Sequence, residues 1–389
     1  MSPETSSVST KRLQSIDILR GIIIVIMALD HVRDYYSPYP FSPEDLTQTF
    51  PLLFFTRWIT HFCAPNFVFL AGTAAFLYGA KVNSRVKLSQ FLLTRGIWLI
   101  LVEILIMNVT MTAQLPTQTG VIFLIIIWVI GVSMIILAGL VWLPRWAIAV
   151  FAFGSIFLHN AFDGAGGVVW NFLHAPNFIP ISTKPAFSIL SGYPIIPWSG
   201  VLAAGYLFGQ VMQWEVLRRR NFLLWTGLGL IFLFIILRTF NIYGNPIPWS
   251  PQSRGAIYSV LSFLNTLKYP PSLQFLCMTI GPALLLLIPL ENWRGKVADF
   301  FLTFGRVPFF FFIFHFPIIN ATALLFNYVR FGKLVNFFGT SPDQYPTDYQ
   351  PNLVIAYIAW ILLIILMYFL CRWYNRYKFN HNHWWLKYL

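Results

Sequence analysis

Apolar residues run through this chain in blocks of about twenty, separated by short polar or proline-containing stretches. A helix rising 1.5 Å per residue needs about 20 apolar residues to cross roughly 30 Å of hydrocarbon. The pattern predicts ten such spans, at 13–36, 52–80, 88–108, 120–143, 146–162, 194–214, 222–243, 271–290, 298–327 and 352–374. Pro65 and Pro308 fall inside the two longest interrupted spans and are expected to kink or break them, because proline cannot donate to the helical ladder. The segment before the first span, "MSPETSSVST", is polar. The expected organisation is a disordered N-terminus at 1–11, one transmembrane domain at 12–374 and a cytoplasmic tail at 375–389. The first apolar run contains Asp17 and Arg20 and has no small-residue cleavage site, so it reads as a retained helix rather than a signal peptide.

Composition turns this pattern into a class. Hydrophobic residues make up 57% of the 389 and charged residues 10%, with a mean hydropathy of +0.67. A water-soluble domain carries about 25% charged residues, so the expected fold is an all-α polytopic integral membrane protein. The formal charge of +13 fits basic loops on the cytoplasmic side. It does not fit nucleic-acid binding, which needs a basic face with interleaved stacking aromatics. With the N-terminus inside, the outside segments hold Arg33, Lys184, Arg254, Lys268, Arg330 and Lys333, and five arginines fall within spans. The other fifteen of the 26 Lys and Arg residues lie on the inside, which predicts both termini in the cytoplasm. The outside loops 163–193, 244–270 and 328–351 are long and rich in Pro, Gly, Asn and Trp. Long loops of this kind bind ligands or merely cap the bundle. Cys63, Cys277 and Cys371 all lie in apolar stretches without a CxxC, so no disulfide framework is expected.

Charges within the spans stand out because each is costly in hydrocarbon. Counted from the nearest cytoplasmic base, Arg20 and Arg95 lie roughly 12 Å in and Arg306 about 15 Å. Three arginines on three helices thus share an inner level, where Asp17, Glu103, Asp299 or a ligand phosphate would balance them. His31, His315 and His61 share an outer level at about 28–30 Å. Histidine serves as general base, nucleophile or metal ligand. No i, i+3 or i, i+4 pair holds two of these three, so no metal is expected. Arg20 and His31 are eleven residues apart. At 100° each that is about 20° from whole turns, which puts them on one face of the first helix, about 16 Å apart along its axis.

Arg-x10-His in a first transmembrane helix, here Arg20…His31, is the pattern carried by membrane acyltransferases of the acyltransferase-3 type. More of the chain resembles the bacterial relatives of heparan-α-glucosaminide N-acetyltransferase. The matching pieces are "RLQSIDILRGIIIVIMALDHVRDYY", "THFCAPNFVFLAG", "YPIIPWSGVLAAGYLFG", "LKYPPSLQFLCMTIGPALLLL" and "FGRVPFFFFIFHFP", spread over about residues 12–320. The resemblance implies transfer of an acetyl group from cytosolic acetyl-CoA to a sugar acceptor on the far side, with a histidine central to catalysis. In the animal lysosomal branch that histidine lies after helix 1 and before the "FVFLAG"-like motif. Phe55, Thr56 and Arg57 stand near that place here, with His61 a turn later, so His31 follows the acyltransferase-3 pattern instead.

Residues and resemblance together give one expected scheme. The phosphates of acyl-CoA pair with Arg20, Arg95 or Arg306, and the pantetheine arm runs up the bundle to His31. His31 deprotonates the acceptor or carries the acyl group, with Asp30 or Asp34 setting its tautomer. His315, Asn66 or Arg57 stabilises the thioester oxyanion, and Trp198, Trp249 and Tyr269 stack on a sugar or form an interfacial belt. The expected location is a bacterial inner membrane, and a homodimer is compatible with this type of protein. The competing class is a secondary transporter of an anionic solute, which intramembrane charges and broken helices also suit.

Overall fold

The computed structural model describes residues 5–387. The described chain is mostly helical, with one small sheet. α1 (Thr5–Tyr36) is one unbroken helix of 32 residues. It begins inside the stretch expected to be disordered, since extending an existing helix costs little per residue; residues 1–4 lie outside the described residues. α2 (Pro51–Trp58) opens on its proline and passes through a 3₁₀ turn, Ile59–Phe62, into α3 (Cys63–Val82). The missing N–H of Pro65 falls where that turn gives way to α-helix, as expected of an interrupted span. α4 (Arg85–Val102) is capped by the Ser84 side chain and ends in a π-helical turn, Glu103–Met107, followed by α5 (Asn108–Thr112). A short α6 (Pro116–Thr119) precedes β1 (Val121–Leu124) and α7 (Ile126–Leu140).

α8 (Arg145–Leu158) and α9 (Val168–His174) lead to β2 (Asn177–Thr183) and β3 (Ala186–Ser191). α10 (Ile195–Phe208), α11 (Val216–Phe240), α12 (Ala256–Leu264) and α13 (Leu273–Leu290) follow. α14 (Lys296–Gly305), α15 (Pro308–Phe331) and α16 (Leu353–Asn380) complete the bundle. Among the described residues, eight helical runs are long and apolar enough to cross a membrane, and α7 is a shorter apolar helix. α1 has the length but carries Asp17, Arg20, Asp30, Arg33 and Asp34.

Two expected spans change on inspection. The span 120–143 splits into a strand and a 15-residue helix: "VIFL" is β-branched and aromatic, and in so short a run apolar periodicity does not distinguish strand from helix. β1 pairs in parallel with β3, and β3 pairs antiparallel with β2, so the loop 163–193 supplies two strands of a three-stranded sheet. The span 298–327 is two helices, because the backbone leaves helical geometry at Val307 and Pro308 starts α15.

Small residues bring the helices together. A Cβ on Gly21 would lie 1.9 Å from the Phe301 carbonyl oxygen, and one on Gly305 1.7 Å from that of Asp17, so α1 and α14 cross backbone to backbone. Gly72 of α3 and Gly205 of α10 form a second crossing of this kind. α10 and α13 run largely buried through the middle, while α8, α11 and α16 bury little. Leu217, Trp225, Phe232 and Ile235 of α11 point outward, as a helix facing lipid requires.

Candidate active site

The two polar levels expected from the sequence open into one cavity of about 600 Å³, bounded mainly by α1, α3, α4, α7 and α15. That is ample for an organic ligand, since such sites span roughly 300–1,000 Å³. Because α1 is continuous, the spacing of Arg20 and His31 holds: both line the cavity, with Met27 and apolar wall between. Cys63, Ala64 and Phe67 of α3 and Leu99 of α4 continue that wall. The small side chains Ala71, Ala74 and Ala75 leave room beside Arg20.

At the arginine end, Arg20 is oriented by two fixed partners. Its Nη1 pairs with Asp17 at 3.0 Å and its Nη2 donates to the Leu70 carbonyl at 3.2 Å. Arg95 lines the same cavity and lies over the Phe309 ring, 5.0 Å from its centroid. Arg306 does not join them. It is exposed at the break between α14 and α15, outside the cavity lining: the count from Lys296 runs along unbroken α14, but depth along a helix does not fix which way a side chain faces. Of the three carboxylates expected to balance the arginines, Asp17 alone does so among the described residues. Glu103 accepts the Trp128 backbone N–H at 3.0 Å, at the start of α7, and Asp299 is exposed.

At the other end His31 faces the cavity from α1. Its ring packs on His315, with centroids 5.2 Å apart, and on Phe316 at 4.5 Å. His315 is fully buried; its Nδ1 donates to the Phe312 carbonyl at 2.7 Å, and its Nε2 has no partner among the described residues. That fixes Nε2 of His315 as an acceptor beside His31. The expected carboxylate partner of His31 is not there. Asp30 is held by Arg57 and, at 2.9 Å, by Arg33, while Asp34 takes Arg33 at 2.7 Å.

The chain of charges continues outward. Arg57 reaches Glu44 at 3.4 Å, and Glu44 in turn takes Nε2 of His61 at 2.5 Å. Burial pushes the Glu44 carboxyl up, but Arg57 and His61 outweigh it and hold the group at about 2. His61 is thus committed to Glu44 and packs on Phe275 away from the cavity lining, so the three histidines form a pair and a single rather than one ring. Asn66 donates to the Phe62 and Thr279 carbonyls, tying α3 to α13. Trp198 is fully buried against Tyr193 and does not reach the cavity. Tyr269 does reach it, with its hydroxyl 3.2 Å from that of Tyr193. Trp249 donates to the Thr239 carbonyl.

Sequence reasoning missed Lys268, Tyr193 and Glu44. Lys268 and Tyr193 line the cavity, and Glu44 braces Arg57. Lys268 carried a signal, as a base beside Tyr269 in "LKYPPSLQ"; Glu44 carried none, being one acid in an ordinary loop. All three long loops reach the site, through Leu190 and Tyr193, through Lys268 and Tyr269, and through Phe338.

The family profile described as "heparan-alpha-glucosaminide N-acetyltransferase, catalytic" matches residues 12–242, from α1 to the end of α11. That stretch contains Arg20, Asp30, His31, Arg57 and Arg95, and stops short of Lys268, Tyr269 and His315. Comparison with curated proteins gave no match.

Proposed function

The chain belongs to the heparan-alpha-glucosaminide N-acetyltransferase catalytic family, and from that premise we propose that it carries an acetyl group from cytosolic acetyl-CoA to a sugar or glycan acceptor on the other side of a bacterial inner membrane. It is an integral membrane protein of acetyltransferase type. One observation carries the finer reading: a single cavity has the guanidinium groups of Arg20 and Arg95 at one end, His31 backed by the buried His315 at the other, and apolar wall between.

Each part has a task. Arg20 and Arg95 receive the phosphates of the donor, for which guanidinium forks are suited. The apolar wall takes the extended arm that carries the thioester, which puts its carbonyl at His31. A small rotation that turned an N–H of His31 to the open Nε2 of His315 would leave the other His31 nitrogen with its lone pair towards the cavity. That is the tautomer a base or nucleophile needs. On the direct route, the acceptor hydroxyl or amine attacks the thioester carbon as His31 takes its proton. The C–S bond then breaks, and the proton passes to the CoA thiolate. Arg57 and Lys268, both on the wall, favour the oxyanion formed between these steps. Tyr193 and Tyr269 give the acceptor a flat apolar surface.

The test is acetyl transfer by purified variants. His31→Ala is expected to lower kcat on the order of 10²–10⁴-fold. Arg20→Ala is expected mainly to raise KM for acetyl-CoA, with a matching loss of thermal stabilisation by CoA. Undiminished turnover by His31→Ala would sink the mechanism.

A further inference from the structure

The cavity leaves one cluster of ligating side chains unused. At the end of α8 the 3₁₀ turn His159–Phe162 begins with His159; Asp163 follows it, and His174 closes α9. One ligand atom from each of His159, Asp163 and His174 lies within 4.8 Å of the others. We propose that these three residues bind a divalent transition metal, Zn²⁺ by the character of the donors, and that the metal clamps α9 to the end of α8.

The argument rests first on unmet hydrogen-bonding capacity. His159 is 3% exposed, yet neither ring nitrogen has a partner among the described residues. Buried imidazole nitrogens are normally satisfied, and a pair left open in one side chain calls for a ligand. His174 is equally buried; its Nε2 meets Asp163 Oδ1 at 2.8 Å, while its Nδ1 is open. The two imidazole rings stand 5.2 Å apart.

Asp163 is already oriented, because Asn160 donates to its other oxygen at 3.0 Å, as an outer partner of a ligating carboxylate does. Asn160 is itself anchored by accepting the Leu273 N–H at 3.0 Å. The geometry needs little change. Zn–N and Zn–O bonds of about 2.0–2.1 Å place tetrahedral ligand atoms about 3.4 Å apart. Side-chain rotations of roughly 1 Å close the difference. Binding through Nε2 of His174 would replace its hydrogen bond to Asp163, and the open capacity the metal fills is that of His159. Two imidazoles and one carboxylate suit Zn²⁺. The partly exposed Asp163 side leaves the fourth position to water.

The anchor Leu273 starts α13, directly after the Lys268–Ser272 stretch whose first two residues line the cavity. The site therefore stands at the histidine end. α9 also feeds the strands that bring Leu190 to the wall, so the clamp would hold that part of the cap in place. The expectation that no metal binds considered His31, His61 and His315. The cluster arises from residues fifteen positions apart that a turn brings together.

The experiment uses full-length protein without a polyhistidine tag, stripped with a chelator and titrated with Zn²⁺. Expected are about one equivalent per chain and a rise in Tm that the chelator reverses. His159→Ala and His174→Ala should each weaken binding about tenfold or more. The His381→Ala/His383→Ala double variant should leave it intact. Co²⁺ in the wild-type chain should give the visible absorption of a four-coordinate site, a readout independent of any variant's folding. The proposal is overturned if stripped wild-type protein takes up no stoichiometric Zn²⁺. Loss of uptake only in the C-terminal double variant, or a six-coordinate Co²⁺ spectrum, would overturn it equally.

Discussion

At the scale of single residues, the histidine end is a chain of opposite charges, Glu44, Arg57, Asp30, Arg33 and Asp34, with His61 hydrogen-bonded to its outer member. No member is paid for by solvent alone, so each depends on its neighbours. Glu44 gives the clearest test. Its carboxyl titrates near 4.5 when free and at about 2 in the folded chain. A depressed carboxylate contributes stability in full above its free value, and loses it as pH falls towards the folded one. Glu44→Gln should therefore cost about 2 kcal/mol at pH 7, the worth of hydrogen bonds to a charged group. The deficit against wild type should shrink when Tm is measured near pH 3 in the same detergent. A deficit that stays constant with pH would show that the carboxylate charge is not what matters.

At this scale spacing along one helix was informative and contacts between helices were not. Arg20 and His31 could be placed on one face because both sit on a single unbroken helix, where spacing converts directly into geometry. The partner of His31 could not. Sequence proximity favoured Asp30 and Asp34, but both go to arginines, and the ring that meets His31 comes from a helix hundreds of residues later. Tertiary contacts of that kind leave no trace in local spacing.

At the scale of elements, the decisive contacts are between backbones. Gly305 ends α14 against Asp17, the residue that holds Arg20. Gly305→Ala puts a methyl group 1.7 Å from a carbonyl oxygen, and neither backbone can yield easily. The expected cost is about 3 kcal/mol or more, seen as a lower Tm and a broadened size-exclusion peak. Gly154→Ala on α8 is the control, since nothing lies within 4 Å of the added carbon. If both variants behave alike, α1 and α14 do not cross backbone to backbone. Element boundaries were readable where polar residues or proline punctuate the apolar runs. They failed at Val121–Leu124, where four apolar residues fit either a strand or a helix, and within 298–327, where the break at Val307 makes Pro308 the start of a new helix.

At the scale of the whole molecule, the cavity has a direction only if the bundle has one. The excess of basic residues predicts that Lys81 faces the cytoplasm and Ser253 the opposite side. All three native cysteines are buried, so single-cysteine labelling has a low background. Both positions are exposed. A membrane-impermeant thiol reagent on intact cells should label Ser253→Cys and spare Lys81→Cys until the membrane is opened. The reverse pattern would turn the donor and acceptor ends around.

The apolar wall between Arg20 and His31 has a final consequence, which concerns electricity rather than chemistry. A passage that joins the two faces of an energised membrane is a short circuit unless something in it repels ions. The side chains of Met27, Cys63, Ala64, Phe67 and Leu99 offer no oxygen to replace the water around a cation, and an apolar lining of this kind resists wetting. The arginines at one mouth add electrostatic opposition to protons and metal cations. A neutral acetyl group on a long carrier arm can cross such a stretch, whereas a hydrated ion meets a barrier. The same apolar lining to which we assign the donor's arm would thus also insulate the membrane it spans.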